Sequence, residues 1–148
     1  MSLQSFFVRL GNPVLTAVLR SPLHAMADGS LMLLSVTGRR TGKVYTTPVN
    51  FLRDGDTLLV TSLRERTWWR NLRGDAEVVV HLQGHARRGR ATLAEDEAAV
   101  AEALGRVVAL ALSYARFLEI RMKPDGTAEP ADLARAARSC VVVSIHLA

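Results

Sequence analysis

The sequence predicts an α+β domain that is built mainly from antiparallel strands and closed as a barrel. Several strand-like runs are joined by short, hairpin-like turns, with helical patterns before the first strand and before the last one. Tight turns can join antiparallel strands, whereas parallel strands need long crossover connections. The chain also has no G-x-G-x-x-G after a strand, the sequence that marks a dinucleotide-binding parallel sheet. An antiparallel barrel is therefore favoured over a doubly wound parallel sheet.

Size and charge limit the function classes. The 148 residues, 49% hydrophobic and 22% charged, are most simply one folded domain over residues 1–148. A net charge of +5 favours anionic partners, among them phosphorylated cofactors, nucleic acid and anionic lipid. Nucleic acid is disfavoured, because aromatic residues make up only 5% of the chain and no groove-reading helix is evident. The main support for nucleic-acid binding is the basic run at residues 87–90.

The amino-terminal part, residues 1–24, is predicted to be helical. Asn12 and Pro13 are typical of a helix start. The simpler interpretation is a helix that covers one end of the barrel, and the alternative is an anchor to a membrane or a partner. No cleavable signal peptide and no run of about 20 apolar residues is found. The lone Cys140, in an apolar run, indicates a reducing cytoplasm and a buried strand position. The expected location is cytoplasmic, with peripheral contact at the inner face of the membrane as the alternative.

The remaining elements follow from periodicity and turn chemistry. Strands are predicted at residues 31–36, 44–53, 57–61, 76–83, 87–93 and 140–147, with a hairpin turn at residues 54–56. Pro48 cannot donate a ladder hydrogen bond, so it marks an edge, a bulge or a ligand's approach. Thr92 and Glu95 have capping-box spacing, and the apolar stripe that follows predicts one helix ending between residues 113 and 122. Pro130 begins a short helix.

The basic turn, residues 37–43 (TGRRTGK), is the strongest site candidate. Glycines at two positions allow main-chain amides to turn inward around an anion. Arg39 and Arg40 offer forked donors to a phosphate, and Lys43 adds a point charge. The spacing is not that of a Walker loop. From spacing alone, an anion site and a solvated basic hairpin are equally compatible with this turn.

Trp68, Trp69 and Asn71 form a second candidate, because adjacent tryptophans in an aromatic-poor chain can pack on a ring system. The alternative is that one tryptophan fills the barrel mouth and Asn71 caps a turn. The four histidines are scattered, which argues against a metal site. No serine elbow or acid–base pair is evident. If the chain is an enzyme, a cofactor is therefore expected to supply the chemistry.

Taken together, these motifs resemble a known family. The TGRRTGK turn, PVNF at residues 48–51, the turn at residues 53–55, Thr61-Ser62 and W-x-x-N-L at residues 68–72 are similar to the deazaflavin-dependent nitroreductases. These are actinobacterial split β-barrel oxidoreductases with an FMN-binding-like fold that use coenzyme F-420. The resemblance covers roughly residues 31–93. It implies hydride transfer from the reduced coenzyme to a quinone, a nitroaromatic compound or a similar electron-poor acceptor. The expected assembly is a monomer or a homodimer.

The resemblance also assigns roles to individual residues. The basic turn would hold the phosphate of the coenzyme and the start of its oligoglutamate tail. The later motifs would hold its ring system, and two further residues would contact the electron acceptor. The implied coenzyme ligands are Arg39, Arg40, Thr41, Gly42, Lys43, Pro48, Val49, Ser62, Trp68 and Asn71, and the implied acceptor contacts are Asn50 and Tyr114.

Two departures from the family pattern concern the acceptor side. Leu63 stands where nitroreductase members carry a lysine, and the tyrosine-rich segment of those members is reduced to Tyr114. Two alternatives therefore remain beside the reductase: a split-barrel flavoprotein that binds FMN, and a non-catalytic carrier of a coenzyme or lipophile.

Overall fold

The computed structural model describes residues 31–82 and 84–148, and in them one antiparallel sheet of seven strands. The sheet order is β2-β1-β5-β6-β7-β4-β3. The predicted helical segment at residues 1–24 lies outside the described residues. The strands are β1 (Leu31–Thr37), β2 (Val44–Asn50), β3 (Leu52–Asp54), β4 (Thr57–Leu63), β5 (Ala76–Leu82), β6 (His85–Ala94) and β7 (Cys140–Leu147).

The sheet is curled into a split half-barrel, which confirms the predicted fold class. β2 and β3 are consecutive in the chain, yet they form the two opposite edges of the sheet. The predicted single strand over residues 44–53 is therefore wrong: the chain leaves β2 at Phe51, whose ring is buried, and crosses to the other edge. Curling also brings β2 within 8 Å of β4 between Cα atoms. The concave face encloses a core of alternating strand residues that includes Leu34, Val60 and Val143.

Three helices cover the convex face of β4 and β7: α1 (Glu97–Leu110), α2 (Leu112–Phe117) and α3 (Pro130–Ser139). The predicted capping box is wrong, because Thr92 still belongs to β6 and Asp96 caps α1 by accepting the Ala99 amide at 2.9 Å. The single long helix is wrong as well. Ala111 is extended (φ −148°, ψ 107°) and separates α1 from α2.

Predictions that rested on local turn and strand chemistry are confirmed. Gly55, with φ 62°, forms the turn between β3 and β4. β7 has the predicted bounds, and its Cys140 is buried. In β5 the buried residues Val78, Val80 and Leu82 alternate with more exposed ones, as expected for a strand with one face in the core.

Candidate functional site

The basic turn between β1 and β2 is ordered by its own hydrogen bonds. The Gly38 amide donates to the Lys43 carbonyl at 2.7 Å, and the Gly42 amide donates to the Gly38 carbonyl at 2.9 Å. Thr41 Oγ1 accepts the Lys43 amide at 3.2 Å and lies 3.2 Å from the Tyr45 hydroxyl. These contacts give the exposed loop a defined shape.

The two glycines of this turn are required for different reasons. Gly42 has φ 70°, a conformation that side chains with a Cβ rarely adopt. Gly38 has no such angle. A Cβ there would lie 2.6 Å from Tyr45 Cε2 and 3.0 Å from Thr41 Oγ1. Gly38 therefore allows a close approach, and Gly42 allows the change of chain direction.

The donors of the turn suit an anion. Arg39, Arg40 and Lys43 are exposed, and none has an acidic partner within 4 Å in the described part of the chain. Within the same residues, the amides of Arg40 and Thr41 have no protein acceptor. Uncommitted amides beside guanidinium groups form the kind of concavity that binds phosphate. The turn therefore has the donors that an anion such as a phosphate needs.

A chain of hydrogen bonds joins this turn to the other predicted motifs. The Arg39 amide donates to Asn71 Oδ1 at 3.2 Å, and Asn71 Nδ2 donates to the Trp68 carbonyl at 3.1 Å. Trp68 Nε1 donates to Ser62 Oγ at 3.2 Å, and that hydroxyl donates to the Leu63 carbonyl at 3.2 Å. Residues from the turn, the 3-10 helix (Trp68–Leu72) and the end of β4 thus lie together at one end of the barrel.

Trp69 has a different role from its neighbour Trp68. Its ring is buried in the barrel core, with the guanidinium carbons of Arg70 and Arg73 at 5.7 Å and 5.3 Å from the ring centroid. Arg73 also binds the carboxylate of Glu95, and this contact lowers the pKa of Glu95. Trp69 therefore fills the barrel mouth, which was the alternative expected for one of the two tryptophans. Trp68 is the more exposed of the pair.

The predicted ring and acceptor residues on β2 lie farther along the barrel. Pro48 and Asn50 are four and six positions beyond Val44, or roughly 13 and 20 Å at about 3.3 Å per residue. Val49 packs against the barrel core, whereas Pro48 lies opposite Leu33 on the outer face. These residues therefore lie along β2, beyond the basic turn.

Tyr114 is not brought to the hydrogen-bonded group at the barrel end. It lies in α2 with 4% of its surface exposed, in the cluster under the helices on the convex face of the sheet. Burial raises the pKa of Tyr114 to about 12. Its predicted contact with the acceptor stays a prediction.

Sequence reasoning missed two residues of the site. Tyr45 closes over the basic turn, and a Cβ at Gly74 would lie 3.0 Å from Arg39 Nη2. Tyr45 follows Thr41 by four positions across a hairpin, a spacing that could have indicated the contact. Gly74 is 35 residues from Arg39, so no local signal exists.

Residues 31–82 and 84–148 contain no cluster of three metal-ligating side chains and no helix that is long and apolar enough to cross a membrane.

Solved structures with a similar fold support the split barrel. A candidate pyridoxamine 5′-phosphate oxidase from Listeria innocua aligns at 18% identity with a TM-score of 0.50, over 84% of this chain and 90% of that one. A protein of unknown function from Agrobacterium tumefaciens aligns at 18% identity with a TM-score of 0.52, over 93% of this chain and 59% of that one. A protein described as a domain-swapped dimer aligns at 14% identity with a TM-score of 0.51, over 97% of this chain and 99% of that one. At these identities the likeness concerns the fold alone.

The sequence comparisons identify the family. No curated protein matches the chain. The family model described as F-420H(2)-dependent quinone reductase matches residues 20–122, which is more than half of the chain and includes the whole hydrogen-bonded group at the barrel end. The chain therefore belongs to the F-420H(2)-dependent quinone reductase family and is an oxidoreductase that depends on coenzyme F-420.

Proposed function

We propose that this protein transfers a hydride from reduced coenzyme F-420 to a quinone or another electron-poor small molecule. The observation that carries the proposal is the ordered basic turn, whose three cations and two uncommitted amides lie at the barrel end. Segments 37–43 and 64–73 contain seven Lys and Arg residues and only one acid, Glu65. Such a field attracts an anionic coenzyme before contact is made.

The phosphate end of the coenzyme is assigned to Arg39, Arg40, Thr41, Gly42 and Lys43. When bound, the reduced deazaflavin supplies the hydride, so the protein itself has to bind, orient and exclude water. Forked guanidinium donors hold a phosphate in one orientation, because two parallel hydrogen bonds fix its plane. Gly42, with φ 70°, allows the chain to turn so that the neighbouring free amides can face an anion.

The ring end is assigned to two groups of residues. Ser62 Oγ has already accepted one hydrogen bond from Trp68 and donated one to a main-chain carbonyl, which leaves one acceptor position on this hydroxyl. Pro48 lacks an amide hydrogen, so a flat ring can approach β2 there without an unpaired donor. Val49 supports this stretch from the core side.

The acceptor side is the less defined half of the site. We assign the acceptor to the region beyond β2, where Asn50 Oδ1 is buried without a hydrogen-bond partner in the described chain. The same carboxamide carries two N–H donors, which suit the carbonyl or nitro oxygens of an electron-poor acceptor. Tyr114 is proposed as a second acceptor contact because the family resemblance implies it.

The assignment of the phosphate turn is tested by the double substitution of Arg39→Ala and Arg40→Ala. Each charge-assisted hydrogen bond to a phosphate contributes about 1.5–3 kcal/mol, so the pair is expected to weaken binding of coenzyme F-420 at least about a hundredfold. Both side chains are exposed, so the free energy of unfolding should change little. The matched control removes the same charge at Arg87 and Arg88, on β6. Equal loss of affinity in both double variants would show that net charge, not the turn, binds the coenzyme.

Location and assembly are further proposals. We place the protein in the cytoplasm because its one cysteine, Cys140, is a buried thiol, and we propose a monomer or a homodimer. Peripheral membrane contact is assigned to residues 1–24. Sedimentation with anionic vesicles, comparing the full chain with a variant that lacks those residues, tests this assignment, and equal sedimentation would contradict it.

A further inference from the structure

The basic turn is held from outside by the 3-10 helix. One of its hydrogen bonds joins the Arg39 amide to Asn71 Oδ1, 32 residues later in the chain. Asn71 is itself fixed, since its Nδ2 donates to the Trp68 carbonyl. The carboxamide therefore uses one acceptor and one donor to tie two separate main-chain segments together.

A second contact holds the side chain of the same arginine. Gly74 has φ 76°, and its missing Cβ leaves the space that Arg39 Nη2 occupies, 3.0 Å from where that Cβ would be. The guanidinium of Arg39 thus lies against the main chain just after the 3-10 helix. The backbone and the side chain of one residue are positioned by two neighbours, Asn71 and Gly74.

We propose that Asn71 and Gly74 are positioning residues that order Arg39 before the coenzyme phosphate arrives, so that Asn71 acts on the turn rather than on the coenzyme rings. This inference rests on the proposed function, because it presumes that the turn binds the phosphate. It departs from the direct coenzyme contact that the family resemblance implies for Asn71. Ordering in advance raises affinity, because binding then no longer has to fix a mobile loop.

The first test follows the Arg39 amide and needs no coenzyme. Asn71→Leu keeps the approximate size of the side chain and removes its oxygen, so exchange of the Arg39 amide hydrogen should accelerate at least about tenfold. Asn71→Asp retains an acceptor oxygen and should keep the amide protected. Equal exchange rates in the wild type and Asn71→Leu would overturn the proposal.

The second test measures coenzyme affinity in a cycle of substitutions. Gly74→Ala should push the Arg39 guanidinium aside and weaken F-420 binding about tenfold, which is equivalent to about 1.4 kcal/mol. In the Arg39→Ala background, the same change should have no further effect, because the displaced group is gone. Additive losses in the cycle would overturn the role assigned to Gly74.

Gly126 supplies the matched control for this cycle. It has φ 87°, comparable to Gly74, and a Cβ there would meet nothing within 4 Å. Gly126→Ala should lower the melting temperature through the same backbone strain and leave coenzyme affinity unchanged. An affinity loss equal to that of Gly74→Ala would show a general structural effect and contradict positioning.

The two proposals fail in different ways. If the wild-type protein does not bind F-420 while the Arg39 amide is protected by Asn71, the proposed function fails and the ordering of the turn stands. If the coenzyme binds and neither Asn71→Leu nor Gly74→Ala alters amide exchange or affinity, the positioning role fails and the proposed function stands.

Discussion

Replacing Tyr114 by phenylalanine should stabilise the protein. The side chain is 4% exposed, and its hydroxyl has no hydrogen-bond partner in the described part of the chain. An unsatisfied buried polar group costs about 1–3 kcal/mol, and phenylalanine keeps the ring while removing that group. We expect Tyr114→Phe to raise the free energy of unfolding by about 1 kcal/mol or more. For a chain of this size, 1 kcal/mol corresponds to a rise of about 2–4 °C in Tm.

The same burial predicts how the difference depends on pH. Since the pKa of Tyr114 is raised to about 12 in the folded state, the unfolded chain loses the phenolic proton near pH 10 while the folded chain keeps it. The free energy of unfolding of the wild type is therefore not changed by this titration below pH 10, and it falls as the pH rises from 10 toward 12. At pH 11, the wild type should have lost about 1.4 kcal/mol relative to Tyr114→Phe.

Urea unfolding at pH 7, 10 and 11 measures both effects, with Tyr45→Phe as the control. The Tyr45 hydroxyl is paired with Thr41 and 43% of the residue is exposed, so its removal should not stabilise the fold. A loss of stability in Tyr114→Phe would refute the reasoning, because it would mean that the hydroxyl has a partner. A changed KM for the quinone in this variant would support the predicted acceptor contact.

Three further substitutions test other parts of the structure. Asp132 binds Arg121, and the pKa of the carboxyl is lowered to about 2, so wild-type stability should fall as the pH drops from about 4 toward 2. Asp132→Asn should lower Tm at pH 7 and show a smaller loss of stability over this pH range in thermal unfolding, because the lowered pKa of Glu95 remains. Arg64→Ala removes donors to three main-chain carbonyls and should cost about 1–3 kcal/mol in urea unfolding. Gly38→Ala should clash with Tyr45 and weaken F-420 about tenfold in equilibrium titration, a loss of about 1.4 kcal/mol. Unchanged values in these assays would contradict the corresponding contacts.

Elements defined by adjacent residues were predictable from the sequence. The Gly55 turn follows from its local sequence, and the bounds of β7 follow from an apolar run preceded by a helical pattern. The start of α1 was predicted wrongly, because the capping-box spacing indicated Thr92 as the cap, whereas Asp96 caps the helix in the structure. Tertiary contacts exclude the capping box: Thr92 pairs with Ser144 of β7, and Arg73, 22 residues away, binds the Glu95 carboxylate.

In the candidate site, too, features set by neighbouring residues were predictable and contacts between distant residues were not. The composition of residues 37–43 indicates an anion-binding turn, since cations and glycines are sufficient to suggest it. The contact between Arg39 and Asn71 spans 32 residues, and no periodicity or spacing reports it. The family resemblance named Asn71 as part of the site, and the structure supplies its main-chain partner.

The most direct test of the central claim is the anaerobic oxidation of reduced F-420 by menadione, followed by the coenzyme's absorbance with and without the protein. We predict protein-dependent oxidation that saturates with coenzyme concentration and that is lost in the Arg39→Ala, Arg40→Ala double variant. Oxidation at the same rate with and without the wild-type protein, at saturating coenzyme, would contradict the claim that this chain reduces a quinone with F-420.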